Sequence, residues 1–130
     1  MESSGASLAT LSRRVCQPTR WKGRRMRALN PLAPPDAQLL AAVNRGEFAI
    51  NGFRNRDLRG LLYADTDADP IIRRRRAAAV TRKLRLLRAH GLIRKVPKTH
   101  RCTLSKNGAR VITALLAAQA ADTTKLMDAA

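Results

Sequence analysis

The sequence predicts a mainly α-helical domain that carries a small β-hairpin, and three observations predict it. Residues 70–90 repeat apolar side chains at helical spacing and end at Gly91. The next stretch, residues 92–104, reads as strand, turn and strand. Between Asp69 and Asp122 there is no acidic residue at all, so both features are strongly cationic.

The first 34 residues are set apart. They show no sustained period and close on Asn30-Pro31-Leu32-Ala33-Pro34-Pro35, a breaker-rich linker. Arg13, Arg14, Arg20, Lys22, Arg24, Arg25 and Arg27 make this segment basic, and Glu2 is its one acid. The composition resembles that of a transit peptide, but the plainer reading is a disordered basic arm. Arg13-Arg14 is not followed by the apolar run of an export signal. Trp21 sits among the cations, where it either stacks on a base or docks on the domain surface. Removing residues 1–34 is expected to lower affinity for a partner without unfolding the rest.

The domain is expected over residues 35–120. Asp36 follows the double proline and is positioned to cap a first helix, Ala37–Arg45, which Gly46 ends. Leu39, Leu40 and Val43 give that helix one apolar face. Phe48-Ala49-Ile50 reads as a short extended piece before an Asn51-Gly52 turn. Asn55 then caps a second helix, Arg56–Tyr63, with Leu58, Leu61 and Leu62 at helical spacing. The stretch from Asp65 to Pro70 is a loop, in which Asp69 caps the third helix and Pro70 takes its first position.

At 100° per residue, Ala77, Val80, Leu84 and Leu87 of the third helix share a sector of about 80°. That is its buried stripe. Arg74, Arg75, Ala78, Thr81, Arg82 and Arg85 lie on the other side, while Lys83 and Arg88 flank the stripe. Leu86 faces outward, toward a neighbouring helix or a second subunit. After Gly91, residues 92–96 and 101–104 are the strands, with Pro97-Lys98-Thr99-His100 as their turn. Ser105 caps a last helix through Val111, Ile112, Leu115 and Leu116. Its apolar period weakens beyond Gln119, so residues 121–130 are expected to be a frayed tail.

Lysine and arginine number 26 against 9 acids in 130 residues, a formal charge of +17. Such a balance attracts any polyanion, so charge alone does not choose among DNA, RNA, an anionic membrane and an acidic protein. No apolar run reaches the roughly 20 residues of a membrane span, so no membrane partner is expected. Cys16 and Cys102 are far apart, which suggests neither a disulfide framework nor a zinc site. The setting is read as reducing and cytoplasmic, with no cofactor and no metal. His90 and His100 both lie beside cations, and the one carboxylate cluster, Asp65, Asp67 and Asp69, sits in a capping loop. No nucleophile with a base is evident, and an enzyme is not expected.

The run Val80-Thr81-Arg82-Lys83-Leu84-Arg85-Leu86-Leu87-Arg88-Ala89-His90-Gly91-Leu92-Ile93-Arg94-Lys95-Val96 resembles the recognition helix and first wing strand of a winged helix-turn-helix domain. The segment resembles that of the ArsR and MarR families of bacterial repressors. Cys102-Thr103-Leu104-Ser105-Lys106-Asn107-Gly108-Ala109-Arg110 resembles their second wing strand and next helix. The likeness covers about residues 36–120. It is moderately specific between Val80 and Gly108, and elsewhere rests on element order. The metal-sensing cysteines of many ArsR-like repressors and the long dimerising helices of MarR-like ones are missing from the pattern.

The resemblance implies double-stranded DNA as the partner, a nucleoid-associated location, and the third helix in a major groove. Arg82 and Arg85 are the candidates for bidentate bonds to guanine, and Ala78 and Thr81 are small enough for close approach to base edges. The wing turn carries Lys98, His100 and Arg101 toward phosphates or a minor groove. Arg73, Arg74, Arg75 and Arg76 oppose the helix macrodipole, which suggests either a phosphate clamp or a solvated helix end partnered by Asp65, Asp67 and Asp69. A regulator of transcription or a mobile-element accessory protein fits these features. A homodimer is left open, through the last helix or Leu86. Two other classes compete: a protein that binds shaped RNA, and a docking module for an acidic protein partner.

Overall fold

The apolar stripe of residues 77–87 organises the whole molecule in the computed structural model. The described residues are 7–63 and 69–129, with side chains described as far as residue 121. The expectations for Asp65 and Asp67, and for the loop that holds them, lie outside the described residues. The elements in order are α1 (Leu8–Val15), β1 (Thr19–Trp21), β2 (Arg24–Met26), α2 (Pro34–Val43), α3 (Phe48–Asn51), α4 (Asn55–Leu62), α5 (Pro70–Ala89), β3 (Ile93–Lys95), β4 (Cys102–Leu104) and α6 (Lys106–Ala129). The molecule is mainly helical, with two antiparallel hairpins, β1–β2 and β3–β4.

One core joins most elements. Leu39, Leu40 and Val43 of α2, Leu58 of α4, Val80 and Leu87 of α5, and Val111 and Ile112 of α6 are all buried in it. α2 packs on α4 and α6, and α4 packs on α5. With aromatics scarce, the core is aliphatic apart from Phe53, which is 1% exposed and tilts against Phe48 at 5.5 Å. Each buried leucine of this kind contributes roughly 1.5–3 kcal/mol.

The segment expected to be a disordered arm is folded. α1 begins at Ser7, whose hydroxyl accepts from the Thr10 amide at 3.1 Å. Leu8, Leu11 and Val15 recur at helical spacing, and α1 lies on α6. Arg13 and Arg14 occupy its last turn, where the helix dipole favours cations. The following hairpin pairs Thr19 with Met26, Arg20 with Arg25 and Trp21 with Arg24. Its two loop residues, Lys22 and Gly23, have φ of 50° and 77°, both positive as in the two-residue turn that suits a hairpin's twist. Val15 and Leu29 are buried in the core, so residues 8–29 are part of the domain.

Several caps differ from expectation for identifiable reasons. α2 starts at Pro34 rather than Ala37, because proline is preorganised for a first helical turn. Asp36 is therefore inside the helix and buried, turned to Arg27 instead of capping. The helix stops at Val43, with Asn44 as its cap, before Gly46. Residues 48–51 form a helical turn instead of an extended piece. Gly52 follows at φ 73°, and a β-carbon there would collide with the Cys102 carbonyl. The extended pairing falls on Phe53, which exchanges backbone hydrogen bonds with Cys102 at 2.9 and 2.8 Å.

Asn55, expected to cap α4, is instead its first residue, because its side chain is drawn to Ala77 and Thr81; Arg54 takes the cap position, and the Asp57 carboxylate accepts from the Arg54 amide at 2.7 Å. The helix ends at Leu62 rather than Tyr63, and Leu61 is exposed. α5 starts as expected, with the Asp69 carboxylate accepting from the Ile71 amide at 2.8 Å, and ends one residue early at Ala89, with His90 as its cap and Gly91 at φ 72° beyond. The strands are a residue or two shorter than expected. Ser105 accepts from the Gly108 amide at 2.9 Å and so caps α6. The expected frayed tail over 121–130 is instead helical backbone to Ala129. Alanine, leucine and methionine have strong intrinsic helix propensity and carry it past the apolar period.

Candidate nucleic-acid interface

α4 holds α5 in place through its first residue. The Asn55 side-chain amide donates to the Ala77 carbonyl at 3.0 Å and to the Thr81 hydroxyl at 3.1 Å, while Leu58 and Val80 meet in the core. Thr81 also donates to Ala77 at 3.0 Å. Its hydroxyl is thus committed to joining the two helices. Thr81 stays exposed, and its expected role at a base edge is left to its methyl group.

Opposite the buried stripe, α5 presents Arg74, Arg75, Ala78, Arg82 and Arg85, all exposed. Arg73 is exposed as well, near the start of the helix. Among the described residues, the ion pairs Arg27–Asp36 and Arg45–Glu47 involve none of Arg73, Arg74, Arg75, Arg82 or Arg85. The arginine run is not one uniform cluster. Arg76 is half-buried with its guanidinium 5.1 Å from the centre of the Tyr63 ring. Arg73 and Arg74 line a hollow of about 240 Å³ with Arg59, Pro70 and Ala77. Ala78 lies between these arginines and Arg82 and Arg85, so the middle of the face has no bulk to hold a ligand away.

The β3–β4 hairpin stands along one edge of this face. Its register pairs Ile93 with Leu104, Arg94 with Thr103 and Lys95 with Cys102. The turn closes with the Thr99 amide donating to Val96 at 3.2 Å and the Thr99 hydroxyl donating to the same carbonyl at 2.9 Å. Pro97 and Lys98 are its central residues, and Lys98 takes φ 62°, a conformation that favours glycine. Lys98 and His100 are exposed. Arg101 is half-buried and donates to the Asn51 carbonyl at 3.1 Å, so it ties the hairpin to α3. Lys95 and Arg88 join the surface without having been singled out by the sequence pattern. With Thr81, Arg85, His100 and Cys102 they line a hollow of about 290 Å³ between helix and hairpin.

The opposite edge of α5 meets the N-terminal hairpin. Leu86, outward-facing on the helix wheel, is 5% exposed because this hairpin covers it. Trp21 reaches past this edge to Arg88, which also lines the hollow toward β3–β4: the Arg88 guanidinium is 5.0 Å from its ring centre and the Lys22 ammonium 4.6 Å. His90 Nε2 donates to the Arg27 carbonyl at 2.8 Å, so this histidine serves the fold. Arg27 is joined to Asp36 by two short bonds of 2.9 and 2.8 Å, and the Asn30 amide adds a third to Asp36 at 2.8 Å. These donors, the Arg27 guanidinium foremost, hold the Asp36 carboxyl below the usual carboxylate range despite its burial.

Among the described residues no group of three or more His, Cys, Asp or Glu side chains could hold a metal ion. Burial pushes the Cys102 thiol up, and the partial cover that neighbours give the exposed Cys16 pushes its thiol in the same direction. No helix of the described residues is long and apolar enough to cross a membrane. No family model matches the chain, and neither does any curated protein or solved structure.

Proposed function

We propose that this protein is a winged-helix protein that binds double-stranded DNA, with α4 and α5 as its helix-turn-helix and β3–β4 as its wing. The observation that carries the reading is the exposed arc of α5. Arg74, Arg75, Ala78, Arg82 and Arg85 form one cationic strip with no acidic partner among the described residues and a small residue at its centre. A B-form major groove admits such a helix, whereas the major groove of A-form RNA is too narrow. Single strands fit less well, because Phe53 is buried and Trp21 is committed to Arg88.

The roles divide by geometry. Arg82 and Arg85 reach base edges, where a guanidinium bonds guanine through two donors. Arg73, Arg74 and Arg75 at the start of α5, and Lys98 and His100 on the wing, bind phosphates and set position without reading sequence. Control of transcription or service to a mobile element is the corresponding activity, exerted in the cytoplasm on the nucleoid.

Selection of sequences from a random duplex pool by the full chain, at two salt concentrations and with structured RNA as competitor, tests this. The expected result is an enriched motif that persists at the higher salt. Arg82→Ala and Arg85→Ala should each weaken that motif by about 1–3 kcal/mol and leave random duplex less affected. Equal losses on every sequence would make both arginines phosphate contacts. Loss of all binding to RNA competitor would overturn the DNA reading.

A further inference from the structure

The β1–β2 hairpin is more cationic than its structural duty requires. It carries Arg20, Lys22, Arg24 and Arg25 within six residues, all exposed. Arg20 and Arg25 are direct cross-strand partners. Like charges so placed destabilise a hairpin, and nothing acidic faces them among the described residues. The stem is nevertheless held rigidly, by Trp21 on Arg88, by His90 on the Arg27 carbonyl, by the Arg27–Asp36 pair and by the buried Leu29. A rigid mount bearing mutually repelling cations is arranged for an anion that comes from outside.

Its location gives the anion's identity. Between hairpin and helix runs an open groove of about 370 Å³ lined by Arg25, Met26, Arg27, Ala79, Arg82, Lys83 and Leu86. Arg82 belongs both to this groove and to the exposed arc of α5. The hollow shared with β3–β4 holds Thr81, Arg85 and Arg88, on the other edge of the same arc. The helix face is therefore flanked along both edges by basic hairpins. A major groove is likewise flanked along both edges by sugar–phosphate backbones.

We propose that β1–β2 is a second wing, whose cross-strand pair Arg20 and Arg25 binds the phosphates of the strand opposite the one met by β3–β4. The proposal rests on the α5 reading, because only a duplex seated on that helix presents both backbones at once.

The full-length Arg20→Ala/Arg25→Ala double variant tests it, titrated with random-sequence duplex over a salt series beside the wild type. Both side chains are exposed and outside the core, and the one hydrogen bond lost, from Arg20 to the Gly23 carbonyl at 3.3 Å, is long and at the surface, so the thermal transition should stay within a few degrees of the wild type. Each phosphate contact contributes about 0.9 to the slope of log affinity against log salt, so the slope should fall in magnitude by about 1.8. Hydroxyl-radical protection should shrink on one flank of the footprint only. An Arg20→Lys/Arg25→Lys variant should keep the wild-type slope. A double alanine variant with unchanged slope and footprint would overturn the second wing while the α5 reading stands. A wild-type chain with no salt-dependent duplex binding would overturn both.

Discussion

Lys98 holds a left-handed backbone conformation that costs a residue with a β-carbon roughly 1–2 kcal/mol, and it does so at the tip of a basic hairpin. Proline before it makes a tight turn, and glycine would be the unstrained choice in second place. Strain kept at an exposed lysine is consistent with a side chain retained for what it touches. Lys98→Gly should stabilise the fold by about 0.5–1 kcal/mol in urea denaturation. The same variant should lower the salt slope of duplex binding by about 0.9. A destabilised variant would remove the strain argument, and one with the wild-type slope would remove Lys98 from the interface. Other residues show where single positions mislead. Thr81 and Arg101 have the right chemistry for contacting DNA, but Asn55 and Asn51 engage them. Those partners lie 26 and 50 positions away, and no local pattern announces such pairs.

At the scale of elements, α5 and the β3–β4 hairpin were legible because their signals are local and redundant. A capping aspartate, a first-position proline, an apolar stripe and a terminal glycine all agree on α5. The N-terminal elements were not legible, since each signal there is brief. α1 has two turns, and the hairpin has three-residue strands joined by Lys-Gly rather than the stronger Asn-Gly. Its stability comes from distant groups, the Arg27–Asp36 pair above all. The Asp36 carboxyl titrates below its unfolded value near 3.9, so its contribution is complete above that pH. It is lost as pH falls through the lower folded value. Asp36→Asn should therefore cost about 1–2 kcal/mol at neutral pH, tempered by the exposure of Arg27. Denaturant titrations should show the gap between wild type and variant narrowing below about pH 4. A gap that stays constant into strong acid would mean that the pair does not anchor the hairpin.

The whole molecule is a charged plate on an aliphatic support. α2, α4 and α6 close the core from behind, and α1 extends it along α6. In front lie α5 and its two hairpins, where most of the exposed arginines stand. Composition alone showed the excess of charge; which side carries it follows from burying the stripe of α5. The location of the N-terminal cations did not follow, because Val15 and Leu29 join a core whose other members begin ten residues further on. Like charges crowded on one face oppose folding, and a polyanion relieves that repulsion.

On the function proposed above, duplex DNA meets this face and no other. Amide chemical-shift mapping of the full chain during titration with a random-sequence duplex addresses it directly. The largest changes are expected along Ala78 to Arg85, at Lys98 to His100, and at Arg20 to Arg25, with α2 and the middle of α6 unmoved. Changes centred on α2 or α6, or none along α5, would contradict it.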